Sequence, residues 1–308
     1  RFALYSLGVV WVSSALLRGR IAFRPWKYIH YIAYIALPLA LFHVPSIGTS
    51  YRSLDAPRAY FLSVLLLLII FSILRLRHLF LLGRVRYTVV RQSQILPGVG
   101  MVALKPEGRR ISLRRGQYVY MQWSLLGEEH PFTILQSSSK TGELTIAYRL
   151  TGAWTKKLAA LKDGTSMYID GPYGTFLDDI DDDSSLPKVF IAAGIGITPF
   201  VDPILRDGRG SDWLFYANYR PETATFARQL SAKLGTRYVS ILSQVDSPRA
   251  DNDERGRLRP DVVSRYLPDP KDYQYYICGS EGFMETAERV LHTLGVSPKQ
   301  IQKEAFGW

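Results

Sequence analysis

The run from Tyr60 to Leu74, YFLSVLLLLIIFSIL, constrains this chain more than any other segment. It is apolar on every side, with no polar stripe that a helix could turn toward water. Such a helix has to be enclosed, either by a large protein core or by hydrocarbon. Two further apolar runs precede it, Phe2–Leu17 and Tyr28–Ile47. The run Tyr28–Ile47 is about the ~20 residues that a helix needs to cross a bilayer's hydrocarbon layer. The run ending at Leu74 lengthens if the heads of Arg75 and Arg77 reach up to the interface. Three core helices of a soluble domain are the competing reading, and the all-round apolar character favours membrane helices.

The charge pattern orients these runs. The formal charge is +11, and most of the basic excess lies in the first part of the chain, beside the apolar runs. A basic balance suits nucleic acid, an anionic membrane surface or an anionic cofactor. No DNA- or RNA-binding module is recognisable, so nucleic acid is not expected as a partner. Arg18, Arg20, Arg24 and Lys27 separate the first two runs, and Arg75, Arg77, Arg84 and Arg86 follow the third. By the positive-inside tendency both segments face the cytoplasm, and the chain after the third run begins there. The expectation is a multi-pass protein of the cell membrane. A single cysteine, Cys278, excludes a disulfide framework and a cysteine-held metal cluster. No EF-hand loop is present.

From Tyr87 the texture changes. Short β-branched and aromatic stretches (YTVV, GQYVYMQW, HPFTIL, LTIAYRL, SMYIDGPYG) alternate with Gly and Pro turns and read as an antiparallel barrel. The acidic stretch Asp178–Ser185 reads as a solvated linker. From Lys188, strands KVFIAAG, WLFYANY, RYVSILSQ and YQYYICG alternate with helical patterns, which reads as a doubly wound α/β domain.

Six short motifs carry chemistry. Ala193-Gly194-Ile195-Gly196-Ile197-Thr198-Pro199 follows a strand and opens a helix, a place where backbone N–H groups can meet a phosphate. It is not the G-x-G-x-x-G fingerprint, and a strand-to-helix turn needs small residues in any case. His130-Pro131-Phe132-Thr133 puts a proline in a strand, hence an edge or a bulge. Arg149-Leu150-Thr151-Gly152-Ala153-Trp154-Thr155 ends a strand and begins a helix; free N–H groups and Arg149 suit a pyrophosphate. Asp170-Gly171-Pro172-Tyr173-Gly174 is a turn. Cys278-Gly279 ends a strand, where open α/β sheets bind ligands, although a buried structural cysteine would look the same. Glu304-Ala305-Phe306-Gly307-Trp308 ends the sequence with aromatics.

The order of these motifs resembles the ferredoxin–NADP reductase superfamily. The HPFT form after membrane helices resembles the C-terminal portion of the ferric reductase and NADPH oxidase family of membrane flavocytochromes b. The resemblance covers essentially the whole chain. It implies membrane helices of a partial haem domain over 1–80, an FAD-binding barrel over 81–183 and an NAD(P)-binding domain over 184–308, the last two cytoplasmic. His130, Pro131, Phe132 and Thr133 would then line the flavin and its ribityl chain. Arg149, Gly152, Trp154 and Thr155 would hold the pyrophosphate of FAD. Gly194, Gly196, Thr198 and Pro199 would hold NADPH or NADH, and Cys278 and Gly279 would lie near the nicotinamide. Phe306 would stack on the flavin, with Trp308 a rival for that role. Thr133, Cys278 and Phe306 would be the residues closest to the hydride transfer. Asn218 and Arg220 follow the second strand of this domain. Arg220 could meet a 2′-phosphate or be an ordinary exposed arginine.

The same resemblance makes His30 and His43 ligands of haem b iron. They lie 13 residues apart, about 20 Å along a helix axis at ~1.5 Å per residue. On an ideal helix they stand about 140° apart, so a distortion near Pro38 is expected. Each bis-histidine haem needs a second ligand, and the remaining histidines, His78, His130 and His292, are not suitably placed. Either further N-terminal helices or a partner subunit supplies those ligands.

The activity expected is transfer of electrons from cytoplasmic NAD(P)H through FAD and haem b to O2 or ferric iron across the membrane. Two alternatives stand beside it. One is a membrane-anchored NAD(P)H–flavin or quinone reductase without a haem relay. The other is an inactive membrane interaction subunit.

Overall fold

The computed structural model describes residues 2–21, 23–47, 55–80, 83–124, 127–180, 186–208, 210–245 and 252–305. Phe306 and Trp308 lie outside this set, as do the side chains of His43 and His78. The chain forms two compact units, Arg1–Phe80 and Leu81–Trp308.

In the first unit, α1 (Phe2–Ala15) packs against α2 (Phe23–Tyr31) and α3 (Ala33–Ile47). The long helix α4 (Asp55–Leu79) contains the segment Asp55–Arg75, 21 residues of mean hydropathy 2.2 and 6% buried. Among the described residues it is the one helix long and apolar enough to cross a membrane, while Phe2–Ala15 and Tyr28–Leu41 are shorter apolar helices. The sequence predicts three membrane helices, the first and third from runs shorter than the second.

The second apolar run is not one continuous helix. It breaks at Ile32, where the N–H groups of Ile32 and Ile35 donate to Ile29 and Ile32, three residues back. The expected distortion at Pro38 is therefore displaced by six residues. Proline removes one ladder bond, which the helix absorbs here without interruption, and the tightened turn forms earlier. Tight turns overwind a helix, so this one reduces the angular offset between positions 30 and 43.

The second unit begins with a seven-stranded antiparallel sheet in the order β4-β3-β7-β1-β2-β6-β5. Its strands are β1 (Val85–Leu96), β2 (Val99–Pro106), β3 (Tyr118–Gln122), β4 (His130–Thr133), β5 (Gln136–Ser137), β6 (Leu144–Arg149) and β7 (Ser166–Tyr173). The two outermost strands, β4 and β5, are consecutive in sequence. Ile134 N–H donates back to Gln117 beside β3 at 3.0 Å, and Leu135 N–H donates to Thr145 of β6 at 2.9 Å. The sheet therefore curls until its two edge strands meet in one stretch of chain, which gives it the form of a partly closed barrel. Alternate residues Val85, Tyr87 and Val89 point inward to meet Val102, Leu104, Met121, Ile146 and Ile169. Helix α5 (Ala153–Ala159) plugs one end with Trp154 and Leu158.

Next come six parallel strands in the order β11-β10-β9-β8-β12-β13. They are β8 (Lys188–Ala193), β9 (Trp213–Asn218), β10 (Tyr238–Leu242), β11 (Asp253–Arg255), β12 (Gln274–Gly279) and β13 (Ile301–Ala305). Helices α6 (Thr198–Asp207), α7 (Ala227–Leu234), α8 (Pro260–Tyr266) and α9 (Glu281–Thr293) connect them. Both faces are covered, so β8 is buried along Val189, Phe190, Ile191 and Ala192. From β8 the chain builds outward through β9, β10 and β11, then returns to add β12 on the other side. The switch point, where such sheets bind ligands, thus lies at the carboxyl ends of β8 and β12.

Two charge assignments change. Arg84 was counted as a charge outside the membrane, yet its side chain is 2% exposed, beside Gln122, Glu129 (2.6 Å) and Asp170 (3.6 Å). It ties the start of β1 to the strands that carry His130 and Gly171. Arg86 pairs with Glu107 at 3.2 Å. Of the acidic stretch, 181–185 lie outside the described residues; at its start Asp178 and Asp179 are exposed, Ile180 is buried, and Asp179 accepts from Tyr276 (3.0 Å) and Gln302 (2.6 Å). Replacing Arg84 by Met removes the buried guanidinium that Glu129 and Asp170 share. The expected loss is about 3 kcal/mol, the lower end for a broken buried pair because both carboxylates keep some water. Denaturant unfolding of the purified chain measures it; a loss below about 1 kcal/mol would show that Arg84 does not hold the barrel together.

Candidate flavin and nucleotide site

At the end of β8 the chain turns through Gly194–Ile197 into α6. Two features of the turn demand glycine. Gly194 has φ +53°, and a methyl group on Gly196 would lie 2.5 Å from the carbonyl oxygen of Cys278. The turn can lie against β12 because nothing projects from Gly196. A cleft of about 780 Å³ opens there, lined by Arg149, Gly194, Gly196, Asn218, Arg257 and Gly279 among others. Arg149 comes from the barrel and the rest from the α/β domain. Both amide atoms of Asn218 are buried without a hydrogen-bond partner, a costly state unless a ligand completes it. Arg149 and Arg257 are the charged residues among the described lining, which contains no carboxylate. This cation-rich wall suits phosphates.

Thr198 and Pro199 belong to the turn rather than to the cleft wall. Thr198 is buried and its hydroxyl donates to the Ile195 carbonyl at 3.0 Å. Pro199 occupies the first turn of α6 and faces a separate crevice. Arg220 does not line the cleft. Arg257 does, and it escaped notice in the sequence because the chain returns to the cleft only through β11, far from the β9 motif.

The barrel supplies the second half. Thr133 ends β4 directly opposite Tyr118 on β3. Its hydroxyl is buried with no hydrogen-bond partner, which is what a strand awaiting a polar ligand presents. His130 stacks near Trp154 (4.7 Å between centroids), and Phe132 stacks on the same indole at 5.1 Å. Pro131 pairs with Tyr120 in the β3–β4 register.

Trp154 itself corrects one expectation. It stacks on Trp123 at 4.3 Å, and its indole N–H donates to the Glu128 carbonyl at 3.1 Å, so its side chain anchors α5 to the barrel and is not free for a pyrophosphate. The Thr155 hydroxyl is likewise occupied, accepting from the N–H groups of Thr151 and Gly152 and donating to the Gly152 carbonyl. Arg149 remains the side chain of that motif suited to an anion, since the Gly152 N–H is taken by Thr155.

Cys278 is fully buried on β12, in register with Ala192 on one side and Glu304 on the other. Burial first, and the nearby Glu304 carboxylate second, push its thiol pKa well up, so it is a neutral thiol. It stands behind the cleft, and Gly279 lines it.

Glu304 opens the last of the six motifs, and the sequence assigns it no role. One carboxylate oxygen has no hydrogen-bond partner, the other approaches the Gly174 turn, and burial pushes its pKa up to about 7. No local signal marks it; only the β12–β13 register brings it beside Cys278.

A model of an FAD-binding domain matches residues 98–176, and one of an oxidoreductase NAD-binding domain matches residues 190–289. The flavohemoprotein of Bacillus anthracis is 26% identical over 247 residues, covering 72% of this chain and 60% of that protein. The chain thus matches a little over half the length of this curated relative. The FAD/NAD-binding domain of a nitric oxide dioxygenase from Vibrio cholerae superposes with a TM-score of 0.62 at 23% identity, over 73% of this chain and 99% of that one. A ferredoxin NADP+ reductase from Neisseria gonorrhoeae, solved with FAD and NADP, gives 0.60 at 19% identity, over 71% and 97%.

The unit from residue 81 onward is therefore an FAD- and nicotinamide-nucleotide-dependent oxidoreductase module. It is the ferredoxin–NADP reductase-like pair of domains found in the C-terminal parts of ferric reductases and NADPH oxidases.

Glu304 gives a pH signature with a definite sign. Its folded pKa lies above the ordinary value of 4.5, so its contribution to stability is fully present below about pH 4.5 and is lost as the pH rises through about 7. Thermal unfolding of Glu304→Gln and the parent chain should diverge in favour of the variant between pH 5 and about 8. Parallel pH profiles would show that the carboxyl is not desolvated.

Proposed function

We propose that this chain takes electrons from NADPH on the cytoplasmic side of a cell membrane and delivers them, with FAD and haem b as carriers, to O2 or ferric iron on the far side. The observation that carries the reading is the cleft that the barrel and the parallel sheet build together, with the orphaned amide of Asn218 inside it and the orphaned hydroxyl of Thr133 in the barrel. FAD supplies the step from a two-electron hydride donor to single electrons when bound. The residues that would hold it are His130 to Thr133, with Arg149 for its phosphates. Asn218, the Gly194–Gly196 turn and Gly279 would hold the nucleotide. Arg257 is better placed than Arg220 to meet a 2′-phosphate, and the carboxylate-free wall favours NADPH over NADH. Phe306 or Trp308 would cover the flavin.

The membrane location is supported by α4, an apolar helix with Leu66 and Phe71 more than half exposed. His30 fits a haem ligand in one respect. Its Nδ1 lies 3.1 Å from the Trp26 carbonyl, an arrangement that fixes the tautomer with the lone pair on Nε2. That Nε2 contacts the Ser14 hydroxyl at 2.8 Å, which would have to turn aside for iron. Haem b supplies single-electron passage when bound; the second axial ligands come from further helices or a partner subunit. The same contact favours the second reading, a membrane-anchored NADPH–flavin reductase without haem, because both ring nitrogens of His30 already have partners.

An absorption spectrum of the detergent-purified full-length protein, before and after anaerobic NADPH, separates the two. Haem bands that reduce through the flavin and disappear in His30 or His43 variants support the relay. Flavin bleaching with no haem signal sinks it. Arg257→Leu should raise KM for NADPH about tenfold or more, the loss of one charge-assisted contact, and leave KM for NADH nearly unchanged. An equal effect on both nucleotides removes Arg257 from phosphate recognition.

A further inference from the structure

We propose that Tyr216 is a positioning residue for nicotinamide-nucleotide binding, acting through the Gly194 peptide; the inference rests on the reading of the cleft as a dinucleotide site. Tyr216 lies on β9, fully buried between β8 and β10, and its hydroxyl donates to the Gly194 carbonyl at 2.9 Å. Gly194 is the residue of the turn that most needs such a bond. At φ +53° it has left-handed backbone, and glycine tolerates a reversal of its peptide plane that other residues resist. A reversed plane would aim the Gly194 carbonyl oxygen into the cleft, where a phosphate would meet a partial negative charge.

The trans peptide is rigid, so its C=O and the following N–H point in opposite directions. Anchoring the Gly194 carbonyl on the strand side therefore directs the Ile195 N–H the other way, toward the cleft that Gly194 and Ile195 both line. Asn218, two residues after Tyr216 on the same strand face, presents its unpartnered amide to the same space. One strand thus fixes the turn and completes the wall. Burial raises the phenol's pKa, so the hydroxyl is a donor throughout the working pH range.

Tyr216→Phe keeps the ring and removes the hydroxyl, which also neighbours the Asn218 amide and Thr225. Tyr276→Phe is the control: it deletes another buried tyrosine hydroxyl of the same sheet, one bonded to Asp179 and remote from the cleft lining. Titrate the detergent-purified full chain with NADP+ by calorimetry, and measure KM and kcat for NADPH with ferricyanide as acceptor. The expected result is an affinity about five- to tenfold weaker in Tyr216→Phe, the worth of one neutral hydrogen bond. Flavin content should be unchanged, kcat near the parent value and Tyr276→Phe binding normal. Parent-like affinity in Tyr216→Phe overturns the role of the hydroxyl. Equal weakening in both variants also overturns it, because a general loosening of the sheet then explains the effect. Failure of the parent chain to bind NADP+ overturns the dinucleotide reading of the cleft itself.

Discussion

The second unit depends on one close backbone contact, the packing of Gly196 against the carbonyl of Cys278 and the Cα of Gly279. It sets how near the β8 turn can come to the end of β12, and so how wide the switch-point crevice is. Any Cβ at this position would drive the turn off the sheet, carrying Gly194, Ile195 and the start of α6 with it. The strand order places the opening, while the missing side chain determines that a ligand's phosphates could reach backbone N–H groups there. The bond from Tyr216 and the wall residue Asn218 are consequences of the same geometry, since β9 is the neighbour of β8 on the opposite side from β12.

The barrel is held by a different means. Its ends meet through two residues, Ile134 and Leu135, so the strand bearing Thr133 has its position set by both β3 and β6. The buried guanidinium of Arg84 adds a second constraint, linking the first residues of the unit to Glu129 and Asp170, which flank the two strands around the flavin-side residues. A buried cation is a weak source of net stability, but it punishes misplacement severely because the guanidinium, 2% exposed, is costly to hold away from its carboxylates. Arg84 is thus better understood as fixing register than as adding stability.

The sequence made some of this legible and concealed the rest for identifiable reasons. Alternating β-branched and aromatic residues announced the barrel, and continuous apolar strands between helical patterns announced the parallel sheet, because each pattern reflects burial on one face or two. Gly194 and Gly196 were visible because turns impose local demands. The Trp154 side chain departs from the expectation because adjacency in a motif says nothing about direction: two residues after Gly152, the indole packs into the barrel. Arg84 resembled a membrane-flanking charge since nothing local reveals a partner 45 residues away. Arg257 and Glu304 reach the site through β11 and β13, by strand register that no short window contains.

The helical unit shows the same limit in another form. A histidine in an apolar run is costly if left without partners, and His30 avoids that cost by two contacts of different kinds. The Trp26 carbonyl lies one helical turn away and belongs to its own helix, so this contact persists wherever the helix forms. The Ser14 hydroxyl belongs to α1, and it also donates to the Val10 carbonyl at 2.7 Å. One hydroxyl proton cannot serve Val10 and His30 at once, so the contact with Nε2 is the one that can be surrendered without leaving Ser14 unsatisfied. The local bond thus orients the ring, and the bond between helices is the exchangeable one.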